Sequence, residues 1–178
     1  MGRYESRRKK RNLLIPILVS ITVVALCVTI WALFFRNTGP ALAPDYAPQE
    51  EEQNAETIEG DAGEKMDNPE GGGSVSLTYS RDVTIDLENK SATLLFANPG
   101  KSNQDIVLQI VIQDTVIVQS GVLKPGNQVT TLDLFDDAAK KLSNGIYDGN
   151  FNVLYYDPIT GEKAIVNTEI PITITVNP

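Results

Sequence analysis

Histidine is absent from the 178 residues, and Cys27 is the only cysteine. The first absence removes the usual general base near neutral pH and the commonest metal ligand. The second excludes a disulfide within the chain and any cysteine zinc site. Basic residues thin out after Arg36. Residues 37–73 hold Lys65 against ten acidic groups, and residues 74–178 hold seven basic against twelve acidic. Such a body repels nucleic acid, whose binding rests on Lys and Arg. Between Leu13 and Phe35 there is no charge at all. Helical patterning is nearly missing from the C-terminal part, where "DDAAKKL" (136–142) offers about one turn.

What is present is segregated along the chain. Residues 1–12 carry Arg3, Arg7, Arg8, Lys9, Lys10 and Arg11 against Glu5, a basic head on a chain of net charge −8. Residues 13–35 read "LLIPILVSITVVALCVTIWALFF". At about 1.5 Å per residue they make roughly 35 Å of helix, enough to cross a hydrocarbon core of about 30 Å. Pro16 falls in the first turn, where a missing N–H costs little. Trp31, Phe34 and Phe35 suit the far interface. The expectation is a single membrane span, N-terminus cytoplasmic and C-terminal part extracytoplasmic. "Ala41-Leu42-Ala43" offers a small-x-small cleavage site, but Pro44 follows it, so the anchor is expected to be kept. Cys27 lies mid-span and reads as apolar filler.

Residues 36–73 are acidic and rich in Pro and Gly, with few large apolar groups. Such composition predicts a disordered linker that cannot offset its ordering entropy. "Gly71-Gly72-Gly73" marks the expected boundary. From residue 74 the apolar period becomes two. Val83, Ile85 and Leu87 share a face, as do Ile170, Ile172, Ile174 and Val176. Tyr147, Phe151, Val153 and Tyr155 form a third such set, and "IVLQIVIQ" (106–113) is apolar on both faces, as a central strand is. Turn signals recur every 8–12 residues or so, and Pro171 marks an edge or a bend. About seven strands in residues 74–178 predict an all-β, two-sheet antiparallel immunoglobulin-like sandwich.

"SGVLKPGNQV" (120–129) has two glycines spaced as in the front of a phosphate loop. That loop needs Lys and Ser or Thr after its second glycine, then a helix. Here Asn127 and Gln128 follow, then the strand-like "VTTLDL". Pro125 and Gly126 instead fit a type II turn. The stretch from Asp114 to Gly126, "Leu142-Ser143-Asn144-Gly145-Ile146-Tyr147" and "Tyr155-Tyr156-Asp157-Pro158-Ile159-Thr160-Gly161-Glu162" together resemble immunoglobulin-like or fibronectin-type modules of Gram-positive membrane-anchored surface proteins. The resemblance implies that Tyr147 forms a tyrosine corner. It carries no functional site.

Chemistry-bearing groups are sparse. Asp133, Asp136 and Asp137 lack the alternation, glycine and closing Glu of a calcium loop. Ser120 has no histidine partner, and nothing suggests a Ser–Lys pair with Lys124. No catalytic, metal or cofactor residues are assigned, and no small-molecule substrate is implied. Two functions stay open. One is a membrane-tethered binding or structural module for a protein or cell-envelope ligand. The other is an accessory subunit of a membrane secretion or conjugation machine. One contact patch is expected. If Tyr147, Phe151, Val153 and Tyr155 face inward, Leu154 and Tyr156 face outward. Pairing Tyr156 with Lys163 would then set Ile165 across from Leu154. The alternative is that this face is covered, or that the register is off by one.

Overall fold

The computed structural model describes residues 15–29, 44–61, 63–68 and 72–178. It divides into two units, residues 1–39 and 40–178. In the first, residues 15–29 form helix α1. Among the described residues no helix is long and apolar enough to cross a membrane. At about 1.5 Å per residue the described turns of α1 reach only about 22 Å. Residues 13–14 and 30–35 of the expected span lie outside the described residues, as does the basic head, residues 1–12.

The second unit is mostly β. Its strands are β1 (Ala55–Thr57), β2 (Thr78–Tyr79), β3 (Asp82–Asp86), β4 (Ser91–Asn98), β5 (Asp105–Ile112), β6 (Thr115–Gln119), β7 (Asn127–Asp133), β8 (Gly145–Tyr156) and β9 (Lys163–Asn177). A one-turn helix, α2 (Asp136–Ala139), lies between β7 and β8. The strand order is β1-β7-β4-β3-β9-β8-β5-β6, with β2 on β4. This path folds over on itself. Phe96 of β4 meets Phe151 of β8 edge-on at 5.6 Å, although β3 and β9 lie between them in the sheet order. A contact between strands that are not neighbours is a contact between two layers, as in a sandwich. Alternation supplies the core: Val83, Ile85, Phe96, Ile110, Phe151 and Ile174 are all buried in one cluster. Each such side chain contributes about 1.5–3 kcal/mol.

Most local expectations match. β5 is buried on both faces and lies between β6 and β8. Tyr147 Oη donates to Ser143 O at 2.9 Å, the tyrosine-corner bond. Gly126 has φ +89°, and Asn127 N donates to Lys124 O at 3.2 Å, closing the turn before β7. The nitrogen of Thr173 donates to Arg81 O. Alternation therefore aims the nitrogen of Pro171 the same way, just short of where β3 begins to pair, so its missing N–H leaves no ladder bond unmade.

Two expectations are corrected. The sandwich is not wholly antiparallel, because β3 pairs with β9 in parallel, from Asp82↔Thr173 to Asp86↔Asn177. Parallel neighbours need a long crossover. Here the whole of β4–β8 is that crossover. The second correction concerns residues 36–73. Residues 44–61 and 63–68 form a belt on the sandwich, so the domain does not begin at residue 74. β1 adds to the edge of β7, with Ala55↔Val129 and Thr57↔Asn127. Ile58 N donates to Gly126 O at 2.9 Å, and the Asp61 carboxylate accepts from Gly100 N. Met66 N and Lys65 Nζ donate to Lys101 O and Ser102 O at 2.9 and 2.6 Å. The belt is held by pairing its backbone with sheet edges and loops rather than by apolar bulk, and composition does not report that.

Removing residues 44–68 should leave a sandwich that still melts cooperatively, destabilised by at least about 2 kcal/mol as apolar surface is uncovered. Denaturant titration of the two forms measures this. Equal midpoints would show that the belt contributes nothing.

Candidate functional site

The expected patch lies on the second face of β8, and the side chains do alternate as expected. Phe151 and Val153 enter the main core, while Leu154 and Tyr156 point to the opposite face. That face is not open. Leu154 and Tyr156 are both 0% exposed, and only Ile165, at 99%, is free in solvent. The patch as a solvent-facing trio is therefore corrected. Tyr156 does pair with Lys163, but the next pair in the ladder is Leu154 with Asn167. Two residues of β8 are spanned by four of β9. The surplus is a bulge at Ala164–Val166, and it swings Ile165 away from Leu154.

Leu154, Tyr156, Val107 and Val122 form a small second core, with Ala47 of the belt packed on it. The belt crosses here with matched backbone groups. Tyr156 Oη donates to Pro44 O at 2.9 Å. Lys163 N donates to Asp45 O at 2.9 Å, and Ala47 N to Gly161 O at 3.0 Å. Val122 N then donates to Glu50 O at 2.9 Å, and Glu52 N to Val122 O at 3.0 Å. The Glu52 carboxylate accepts from Gly121 N at 2.7 Å. A side chain at Gly121 would meet the Glu51 and Glu52 backbone at 2.7 Å, so only glycine admits the belt. Lys124 pairs with Glu51 at the exposed margin, and that hydrogen bond raises the Lys124 pKa. Burial, and secondarily the charge of Asp45, push the Tyr156 phenol up to about 12.

Other candidate groups have structural employment. Ser120 Oγ accepts from Leu108 N at 2.9 Å and donates to Gly121 O at 2.7 Å. Asp136 is bonded to Lys90 at 2.6 Å, which holds its carboxyl below the ordinary value, and Asp137 faces Lys140 at 3.7 Å. Among the described residues no acidic group of three could hold a metal ion, and Asp133 is not brought into one. An open groove of about 780 Å³ lies between residues 72–75 and the β8–β9 hairpin, floored in part by Tyr155 and rimmed by Ile165 and Val166. Sequence reasoning missed the belt residues Pro44, Ala47, Glu50 and Glu52. Their partners lie about seventy or more positions away, and no local pattern encodes that.

No family model matches the chain, and no curated protein does. Among solved structures it is similar to the YadV chaperone, at 20% identity over 58% of this chain and 51% of that one, with a TM-score of 0.36. It is also similar to AggA, the major subunit of aggregative adherence fimbriae type I from Escherichia coli. There the identity is 9%, over 63% of this chain and 100% of that one, with a TM-score of 0.33. The chain thus spans about half the length of the YadV chaperone. Likeness at this level carries no functional argument.

The buried phenol gives a pH dependence with a definite sign. Its pKa is raised from 10.0 to about 12, so the folded protein holds the proton more tightly than the unfolded chain. That contribution is fully present below about pH 10 and is lost as pH rises toward 12. Tyr156→Phe should cost about 1 kcal/mol near neutral pH and flatten the alkaline fall. Urea melts of both proteins across that range test it. An unchanged alkaline limb would place its origin elsewhere.

Proposed function

We propose that the protein is a single-pass, membrane-anchored binding or structural module, anchored by residues 13–35 and displaying the sandwich outside the cell membrane. It acts by contact with a protein or cell-envelope ligand rather than by catalysis. The observation that carries this reading is the uncharged run of twenty-three residues behind a basic head. The character of α1 supports it. Ile15, Leu18, Val19, Ile21, Val24 and Leu26 point outward on all sides of the helix and are exposed. A helix apolar all round suits lipid rather than water. Its hydroxyls are satisfied within the helix. Ser20 donates to Pro16 O, Thr22 to Leu18 O and Thr29 to Ala25 O, at 2.9, 3.0 and 2.8 Å. No polar side chain among these three needs a neighbouring span, which favours a plain tether over a subunit packed within a membrane machine.

The non-catalytic part of the reading is supported by the engaged hydroxyl of Ser120 and by a sequence without histidine. To test the topology, the full chain is expressed in bacterial cells. It should stay with membranes through an alkaline carbonate wash, and protease added to intact cells should remove the β unit while leaving a short membrane-bound stub. Release of the chain by the wash would remove the anchor. Digestion of the β unit only after lysis would reverse the orientation.

A further inference from the structure

The belt stands between the proposed anchor and the sandwich in the chain. Any pull on the sandwich against the membrane therefore reaches the belt first, at Pro44. The belt's bonds are met one after another along its path. Tyr156 Oη on Pro44 comes first, then Lys163 and Gly161 on Asp45 and Ala47, then Val122 on Glu50 and Glu52, then β1 on β7. A load entering at one end strains only the leading bond at any moment, so the belt peels. The sandwich is loaded differently. Its first long strand, β3, and its last, β9, are parallel neighbours over five residue pairs. Pulling the start of β3 away from the end of β9 slides one strand along the other. All the bonds between them are then strained together, and they break together or not at all.

We propose that residues 44–68 are a tension-release strap. Load on the anchor unseats the strap and uncovers Val107, Val122, Leu154 and Tyr156 while the main core stays folded. The division of the apolar residues supports two separable layers of stability, although Ala55 of the strap also packs on the margin of the main core. The second core is its own cluster, on the face of β5 and β8 opposite the main core. Units with few buried apolar contacts open before the global core. At its far end the strap is tied to the start of the sandwich, where Ser74 Oγ donates to Asp67 O at 2.6 Å and Asn103 Nδ2 to Met66 O at 3.3 Å, so these bonds are the last of the strap to part. The physiological source of the load rests on the anchored topology proposed above. The order of opening does not.

Single-molecule pulling decides it. The full chain is held in detergent micelles, with Cys27→Ser and handles on cysteines introduced as Gly39→Cys and Pro178→Cys. Two steps are expected. A low-force, reversible step should free roughly 28 residues, about 95 Å of contour at ~3.4 Å per residue. A second step at higher force should then open the sandwich. Tyr156→Phe should lower the first force and leave the second unchanged, and Lys124→Ala, which removes the exposed pair with Glu51, should act in the same direction. A single rupture, or a parallel fall of both forces in Tyr156→Phe, would overturn the strap. Detergent holds α1 whether or not it is an anchor, so a failed membrane assay leaves this result standing, and the reverse holds too.

Discussion

Near Tyr156, β5 and β8 carry apolar side chains on both faces, and the seating of the belt follows from that. One face of each strand builds the sandwich interior through Leu108, Ile110, Phe151 and Val153. The other presents Val107, Leu154 and Tyr156, which water would penalise. A sheet with two apolar faces needs two covers. The second sheet layer supplies one. At the end of the sheet near Tyr156, the acidic segment from Pro44 onward supplies the other. It can do so because covering a small patch needs little apolar bulk. Ala47 lies on the cluster, and the crossing is fixed by backbone bonds to groups left unpaired by the β6–β7 connection and the β8–β9 hairpin.

Such a cover has a chemistry that composition conceals. The belt is acidic, and its acids are used locally. Glu52 caps Gly121 N, Glu51 meets Lys124, and Asp61 caps Gly100 N. Each turns a charge that suggests solvent into a bond to the domain. The exposed pair with Lys124 adds little by itself, since such pairs are screened by water. The bonds to backbone N–H groups matter more, because those donors would otherwise be left without protein partners beside a packed surface. The absence of a side chain at Gly121 is then a requirement of the belt's path rather than of a nucleotide loop.

What could be read from the sequence was what local geometry dictates. The period-two runs ending in Val176, the turn at Pro125–Gly126 and the corner at Tyr147 depend on residues a few positions apart. The direction of Leu154 and Tyr156 was legible for the same reason. Their burial was not, because it depends on a segment more than a hundred residues earlier: Pro44 O takes the Tyr156 hydroxyl. Nor was the bulge at Ala164–Val166, which is set by pairing on both sides of the hairpin and moved Ile165 out of the patch. The parallel step of β3 on β9 escaped because its partners lie far apart in the chain, where sequence proximity gives no signal.

Amide hydrogen exchange on the full chain tests the central claim, that the belt is part of the folded domain. The amides of Ala47, Glu52, Ile58 and Met66 donate to Gly161, Val122, Gly126 and Lys101. These four should exchange well below random-coil rates. They should also exchange faster than Ile110 or Phe151 in the core, since a peripheral unit opens more often than the whole. Random-coil exchange at all four, beside full protection of the core, would mean the belt is not seated and that Leu154 and Tyr156 lose its cover in solution.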